Sequence, residues 1–123
     1  MKDCVFCKII DGDINSYKVL EDENFLAFLD ISQMTHGHTL VVTKKHCENL
    51  FLERNEIKEE ILFIVDKVKQ KLEKTLEVKG FNIFVNINKE ARQEVFHTHI
   101  HVIPRYEKDE IKVNYEEKQI NIE

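Results

Sequence analysis

Apolar residues recur at spacings of three and four between positions 55 and 78: Ile57, Ile61, Ile64, Val65, Val68, Leu72 and Leu76. That period predicts an amphipathic helix with one face in a core. Asn55 is placed to cap it, Glu56, Glu59 and Glu60 enrich its first turns in acid, and Gly80 marks its stop. Elsewhere the period is two. Residues 17–21 and 24–29 read as strands joined by a tight Asp22-Glu23 connection, Thr39–Thr43 as a third strand and residues 81–87 as a fourth. A fifth runs through His97, His99 and His101, with Thr98, Ile100 and Val102 between them, and should stop at Pro104, which cannot donate to a ladder. Residues 4–11 look like a short helical turn ending near Gly12. Strands, then a long helix, then strands predict an α+β fold with a mostly antiparallel five-stranded sheet.

At 123 residues, with 3 glycines and 1 proline, the chain has the size of one domain and no sign of a linker. From Glu107 onward nine charges fall in 17 residues, yet Ile111, Val113 and Tyr115 alternate, so this tail is either flexible or an edge strand covering a partner subunit. The bulk composition, 42% hydrophobic and 33% charged, is that of a soluble globular protein. A net charge of -5 argues against broad nucleic-acid binding but leaves room for a local phosphate pocket. No apolar run approaches the ~18–20 residues that span a membrane. Met1-Lys2-Asp3-Cys4 does not read as a signal peptide, which makes the cytoplasm the expected compartment.

Residues i, i+2 and i+4 of a strand share a face, so His97, His99 and His101 are expected side by side. Three imidazoles make a poor core and a good site for metal or proton chemistry. The other three of the six histidines, His36, His38 and His46, also cluster in the sequence. A neutral imidazole can attack phosphorus, and a second one near pKa ~6.5 can hand a proton to the leaving group. Cys4-Val5-Phe6-Cys7 offers a pair of thiolates in a C-x-x-C spacing that is metal-binding or redox-active in a reducing compartment. With two histidines they would complete a zinc set, and the residues alone leave open which two. Cys47 reads as an ordinary small residue.

Taken together, these motifs resemble the histidine triad (HIT) family of nucleotidyl hydrolases and transferases. That family's motif alternates three histidines with apolar residues, and the match here is His97-Thr98-His99-Ile100-His101-Val102-Ile103. Five further segments resemble bacterial members in family order: Cys4-Val5-Phe6-Cys7-Lys8-Ile9-Ile10, Leu26-Ala27-Phe28-Leu29-Asp30-Ile31, Gly37-His38-Thr39-Leu40-Val41-Val42, Gln93-Glu94-Val95-Phe96 and Ile103-Pro104-Arg105-Tyr106. The resemblance implies a HIT domain over residues 1–106 and a charged tail over 107–123. It implies that His99 is the nucleophile, that His101 contacts the phosphate and leaving group, and that His97 and His38 support the nucleophile. Asp30 would hold the ribose hydroxyls, Phe6, Ile9, Phe28 and Ile31 would wall the base pocket, and Asn86, Gln93 and the backbone near Glu94 would face the phosphate. It further implies a structural Zn2+ on Cys4, Cys7, His46 and His97, and a homodimer.

The implied activity is hydrolysis of a purine nucleoside phosphoramidate, or a related bond, to the nucleoside monophosphate. Asymmetric hydrolysis of dinucleoside polyphosphates and a zinc-bearing nucleotide-binding role with little turnover are the alternatives. Two departures from the family pattern stand out. Residues 86–94 contain no glycine, with Arg92 where glycine is common, and Thr43 replaces a usual proline.

Overall fold

The computed structural model describes residues 3–109 and 111, so Val113 and Tyr115 of the alternating tail lie outside the described residues. Its elements are α1 (Val5–Ile10), β1 (Lys18–Glu21), β2 (Phe25–Leu29), β3 (Thr39–Thr43), α2 (Asn55–Thr75), β4 (Gly80–Phe84) and β5 (His99–Arg105). The strands form one antiparallel sheet in the order β1-β2-β3-β5-β4. The fold is α+β with a five-stranded antiparallel sheet and one long helix, as expected.

Alternation divides the sheet into two faces. Phe25, Ala27, Val41, Ile100 and Val102 point to α2 and bury against Ile57, Ile61, Ile64, Val65, Val68 and Leu72. Leu26, Phe28, Leu40 and Val42 point the other way and meet Cys4, Phe6 and Cys7 at and within α1. Register then places the chemistry. Leu40 is opposite His101, Val42 opposite His99, and Phe84 opposite His101, so the two strand histidines lie on the face away from the long helix.

Several boundaries differ from the sequence reading. Asn55 is the first residue of α2, and Arg54 holds the cap position without a side-chain cap bond. The helix ends at Thr75, before residue 78, because Leu76 turns extended and the Lys79 N–H bonds the Arg105 carbonyl, drawing the chain into the sheet at Gly80. β4 stops at Phe84 and β5 starts at His99. Beyond His99 the β3 ladder keeps only the Thr43 N–H to the Thr98 carbonyl, because the Thr98 N–H is taken by the Cys47 carbonyl. Pro104 lies inside β5. β3 pairs no farther than Val102, and the Pro104 carbonyl instead accepts from the Thr35 hydroxyl at 2.6 Å. Its missing N–H therefore leaves no ladder bond unmade.

Candidate active site

The 30–38 connection between β2 and β3 carries Asp30 and His38, and Gln33 holds it shut. The Gln33 amide donates to the Asp30 and His38 carbonyls while its oxygen accepts from the Gly37 and His38 N–H groups at 2.8 and 3.1 Å. Gly37 has φ +97°, and a Cβ there would meet Leu76 Cδ1 at 2.8 Å, so glycine is required for the loop to close on the core. His38 is thereby buried with a fixed tautomer. The Met34 N–H donates to its Nδ1 at 3.2 Å, which leaves Nε2 carrying the hydrogen. That Nε2 lies 3.0 Å from His101 Nδ1 and 3.6 Å from Asp30 Oδ2. His101 therefore accepts on Nδ1 and presents an Nε2–H. Phe84 stacks on the His101 ring at 4.6 Å and 16°.

His99 is fixed in the opposite sense. Its Nδ1–H donates to the His97 carbonyl at 2.7 Å, so Nε2 keeps its lone pair. Phe6 meets the ring edge-on at 5.0 Å, and His101 lies 5.2 Å away. Burial pushes the pKa of both His99 and His38 below the usual imidazole value. His101 is pushed down to about 4, by burial first and then by the neighbouring His99 and His38. The acid near pKa ~6.5 inferred from free imidazole is thus a neutral donor here.

A buried histidine that must stay neutral stabilises the fold above its unfolded pKa of ~6.5 and loses that contribution as pH falls toward its folded value. Wild type and His101→Gln are therefore expected to differ in unfolding free energy by about 3 kcal/mol less at pH 4 than at pH 7. Urea unfolding at both pH values measures it. A pH-independent difference would show that His101 is not held neutral.

His97 lies just before β5 and does not join the pair. Its Nε2–H donates to the Thr43 carbonyl at 2.6 Å, and its Nδ1 faces Cys4 Sγ at 3.2 Å, Cys7 Sγ at 3.6 Å and His46 Nδ1 at 3.2 Å. Cys7 Sγ is 3.5 Å from His46 Nδ1, and all four ligand atoms lie within 4.8 Å of one another. A tetrahedral zinc at ordinary bond lengths spaces N···N pairs about 3.3 Å and S···N pairs about 3.5 Å apart. The donor set, its spacing and the carbonyl that fixes the His97 tautomer all fit that ion. Thr43 enters through its carbonyl oxygen, which a proline at that position would also supply.

The nucleotide-side residues are partly assembled. Phe6 packs on Phe28 at 5.8 Å, Ile9 packs against the same cluster, and Asp30 Oδ1 accepts from the Ser32 N–H at 2.9 Å. Ile31 is 98% exposed and walls nothing by itself. The Gln93 side chain does not face a phosphate. Its amide donates to the Glu48 and Val95 carbonyls at 2.7 and 3.1 Å and accepts from the Asn88 N–H at 2.8 Å, which closes the 88–93 loop. Asn86 reaches the Arg92 carbonyl across that loop at 3.4 Å. Glu94 is exposed and lines a cavity beside Cys4 and His46.

The loop without glycine adopts glycine geometry nonetheless. Asn88 has φ 74° and ψ 163°, and Arg92 has φ 68° and ψ 33°. The first conformation is almost confined to glycine and costs a side-chain residue about 1–3 kcal/mol. Asn88→Gly is expected to raise stability by about 1 kcal/mol, read as a higher urea midpoint, and an unchanged or lower midpoint would contradict the strain.

Gln33, Phe84 and the role of the Thr43 carbonyl escaped the sequence reading. For Phe84 a signal was present, an aromatic on the same alternating face as Asn82 and Asn86. The other two act through contacts that only the folded chain brings together.

The HIT domain family matches residues 11–108 of this chain. Protein hit of Bacillus subtilis is 49% identical over 107 residues, covering 87% of this chain and 74% of that one. The adenosine 5'-monophosphoramidase HNT1 of Saccharomyces cerevisiae is 37% identical over 102 residues, covering 83% of this chain and 62% of that one. Among solved structures, a HIT family member from Bacillus subtilis superposes with a TM-score of 0.87 at 45% identity, covering 94% and 83% of the two chains. A Zn-bound histidine triad family protein from Mycobacterium smegmatis does so with a TM-score of 0.85 at 36% identity, covering 95% and 85%. The match across nearly the whole described chain makes this protein a member of the HIT domain family.

Proposed function

We propose that the protein is a nucleotide phosphoramidase that cleaves a purine nucleoside phosphoramidate to the nucleoside monophosphate through a covalent nucleotidyl-His99. One observation carries this reading: the two strand imidazoles are held in opposite tautomers. His99 offers a lone pair, and His101 offers a hydrogen. His99 Nε2 attacks the α-phosphorus, the P–N bond breaks and the amine leaves with a proton. Water then releases the monophosphate from His99. In the free protein His101 is a neutral donor to phosphate oxygen. A bound phosphate anion opposes the effect of burial and raises its pKa, so the charged acid arises with substrate in place. The yeast relative named as an adenosine 5'-monophosphoramidase supports this bond type.

In this reading Asp30 holds the ribose, and Phe6, Ile9, Phe28 and Ile31 sandwich the base, which covers the exposed Ile31. The 86–94 loop faces the phosphate through backbone N–H groups, Glu94 included, with Asn86 and Gln93 fixing its shape. Cys4, Cys7, His46 and His97 hold a structural zinc. With four protein ligands it has no open position, so its contribution is to lock His97 and not to polarise substrate. A homodimer is part of the proposal: among the described residues β4 leaves one sheet edge unpaired, and α2 exposes Leu62 and Phe63 at 77% and 73%. Its mass by light scattering should be twice the chain mass.

The deciding experiment is AMP release from an adenosine phosphoramidate measured beside hydrolysis of a dinucleoside polyphosphate. A higher kcat/KM on the phosphoramidate is expected. The reverse order would favour the polyphosphate hydrolase. Arg92 at the phosphate loop motivates the binding-only reading, which tight AMP binding without turnover of either substrate would establish.

A further inference from the structure

In the reading above Cys4 and Cys7 do no more than clamp a metal. Three features of their surroundings give them a second role. Cys4 is the cap of α1 and Cys7 its third residue. Helix geometry puts Cα atoms at that spacing about 5 Å apart, inside the range a disulfide bridges. Their sulfurs lie within 4.8 Å of each other, and the Cys7 N–H donates to Cys4 Sγ at 3.4 Å. A cavity of about 380 Å³ reaches Cys4 between His46, Glu48, Glu94 and Phe96, giving a small oxidant a path to that sulfur. Both sulfurs then touch His97 Nδ1, and the His97 carbonyl is the acceptor that fixes His99. Chemistry at the sulfurs is two contacts from the nucleophile.

We infer that Cys4 and Cys7 form an oxidation site for a hydroperoxide, and that their disulfide releases His97 and with it the alignment of His99. Cys4 thiolate attacks the peroxide, the O–O bond breaks, and a sulfenic acid and hydroxide form. Cys7 thiolate then displaces a second hydroxide and closes the S–S bond. Two electrons leave the sulfurs and both peroxide oxygens end as hydroxide. The bridged pair supplies no thiolate, so the metal set shrinks to His46 and His97 and no longer holds zinc. The inference rests on the proposed function only in calling His99 the nucleophile.

The test uses the full chain, zinc-loaded, with Cys47→Ser so that two thiols remain. The Cys47 thiol faces the Asn49 carbonyl at 3.6 Å and the Glu53 side chain, outside both clusters. Equimolar hydrogen peroxide is expected to lower the intact mass by two hydrogens and release one zinc per chain to a colorimetric chelator. It should move the His99 ring 15N signals from one tautomer toward a mixture. The phosphoramidase rate should fall about tenfold, and reductant plus zinc should reverse all four changes. An unchanged mass or retained zinc overturns the oxidation site, and a disulfide with unmoved His99 signals overturns the coupling. If no substrate is turned over, mass, zinc and nitrogen signals still decide this inference, while the proposed function alone fails.

Discussion

Replacing His99 by alanine is expected to reduce AMP release from an adenosine phosphoramidate by about 10⁴-fold or more, with AMP binding changed by less than about tenfold. The size follows from the role. The ring supplies the one lone pair aimed by a neighbouring carbonyl, and no other described imidazole on that face has its Nε2 free. Removal of His101 should cost less, about 10²–10³-fold, because water can still protonate the departing amine. The substitution leaves the His97 carbonyl without its 2.7 Å donor, so circular dichroism and zinc content must accompany the rates. A His99→Ala protein that folds, holds zinc and turns over at the wild-type rate would place the chemistry elsewhere.

Stripping zinc is the second large effect. Cys4 and Cys7 at the start of the chain, His46 after β3 and His97 before β5 meet at one point, and α1 is otherwise a six-residue helix held by one side of a small apolar cluster. A metal bound a thousandfold below its free concentration stabilises by about 4 kcal/mol, which for a domain of this size corresponds to roughly 15 °C in Tm. A strong chelator is therefore expected to lower the melting temperature by about that much, and Cys7→Ser to lower it without chelator. The loss should be larger for the histidine face than for the α2 face, because Phe25, Val68 and Ile100 pack without help from Cys4, Cys7, His46 or His97. Hydrogen exchange separates the two faces. A melting temperature indifferent to chelator, with reactive Cys4 and Cys7 thiols in the untreated protein, would remove zinc from the account.

Both effects depend on how the histidine run is divided, and there the sequence was only partly legible. Period two correctly placed His99 and His101 on one face, because a strand's alternation is set by its backbone. The same rule put His97 on that face, where it touches Phe6 as His99 does, but its ring turns to Cys4, Cys7 and His46 and not to the His99–His101 pair. The Cys47 carbonyl holds the Thr98 N–H, so only the Thr98 carbonyl still meets β3, accepting from the Thr43 N–H at 3.4 Å. The helix stripe was legible for the same local reason, whereas its C-terminal end was not. Leu76 leaves the helix because β4 pulls the backbone toward Arg105, a contact 26 residues away in the chain. The glycine-free loop illustrates a third limit. Composition showed that residues 86–94 lack glycine, but only the fold shows Asn88 and Arg92 adopting the positive φ that glycine would supply. Gln93 looked like a donor for phosphate, and its buried amide instead ties that loop to Glu48 and Val95.

If His99 is the nucleophile, its Nε2 carries the nucleotide during turnover. A single-turnover reaction with adenosine phosphoramidate, quenched in base within milliseconds and digested for mass spectrometry, tests it most directly. The expected result is one AMP group on the peptide containing His99, appearing before free AMP and decaying as free AMP accumulates. Free AMP forming at the full rate with no adduct on His99 at any time would contradict it.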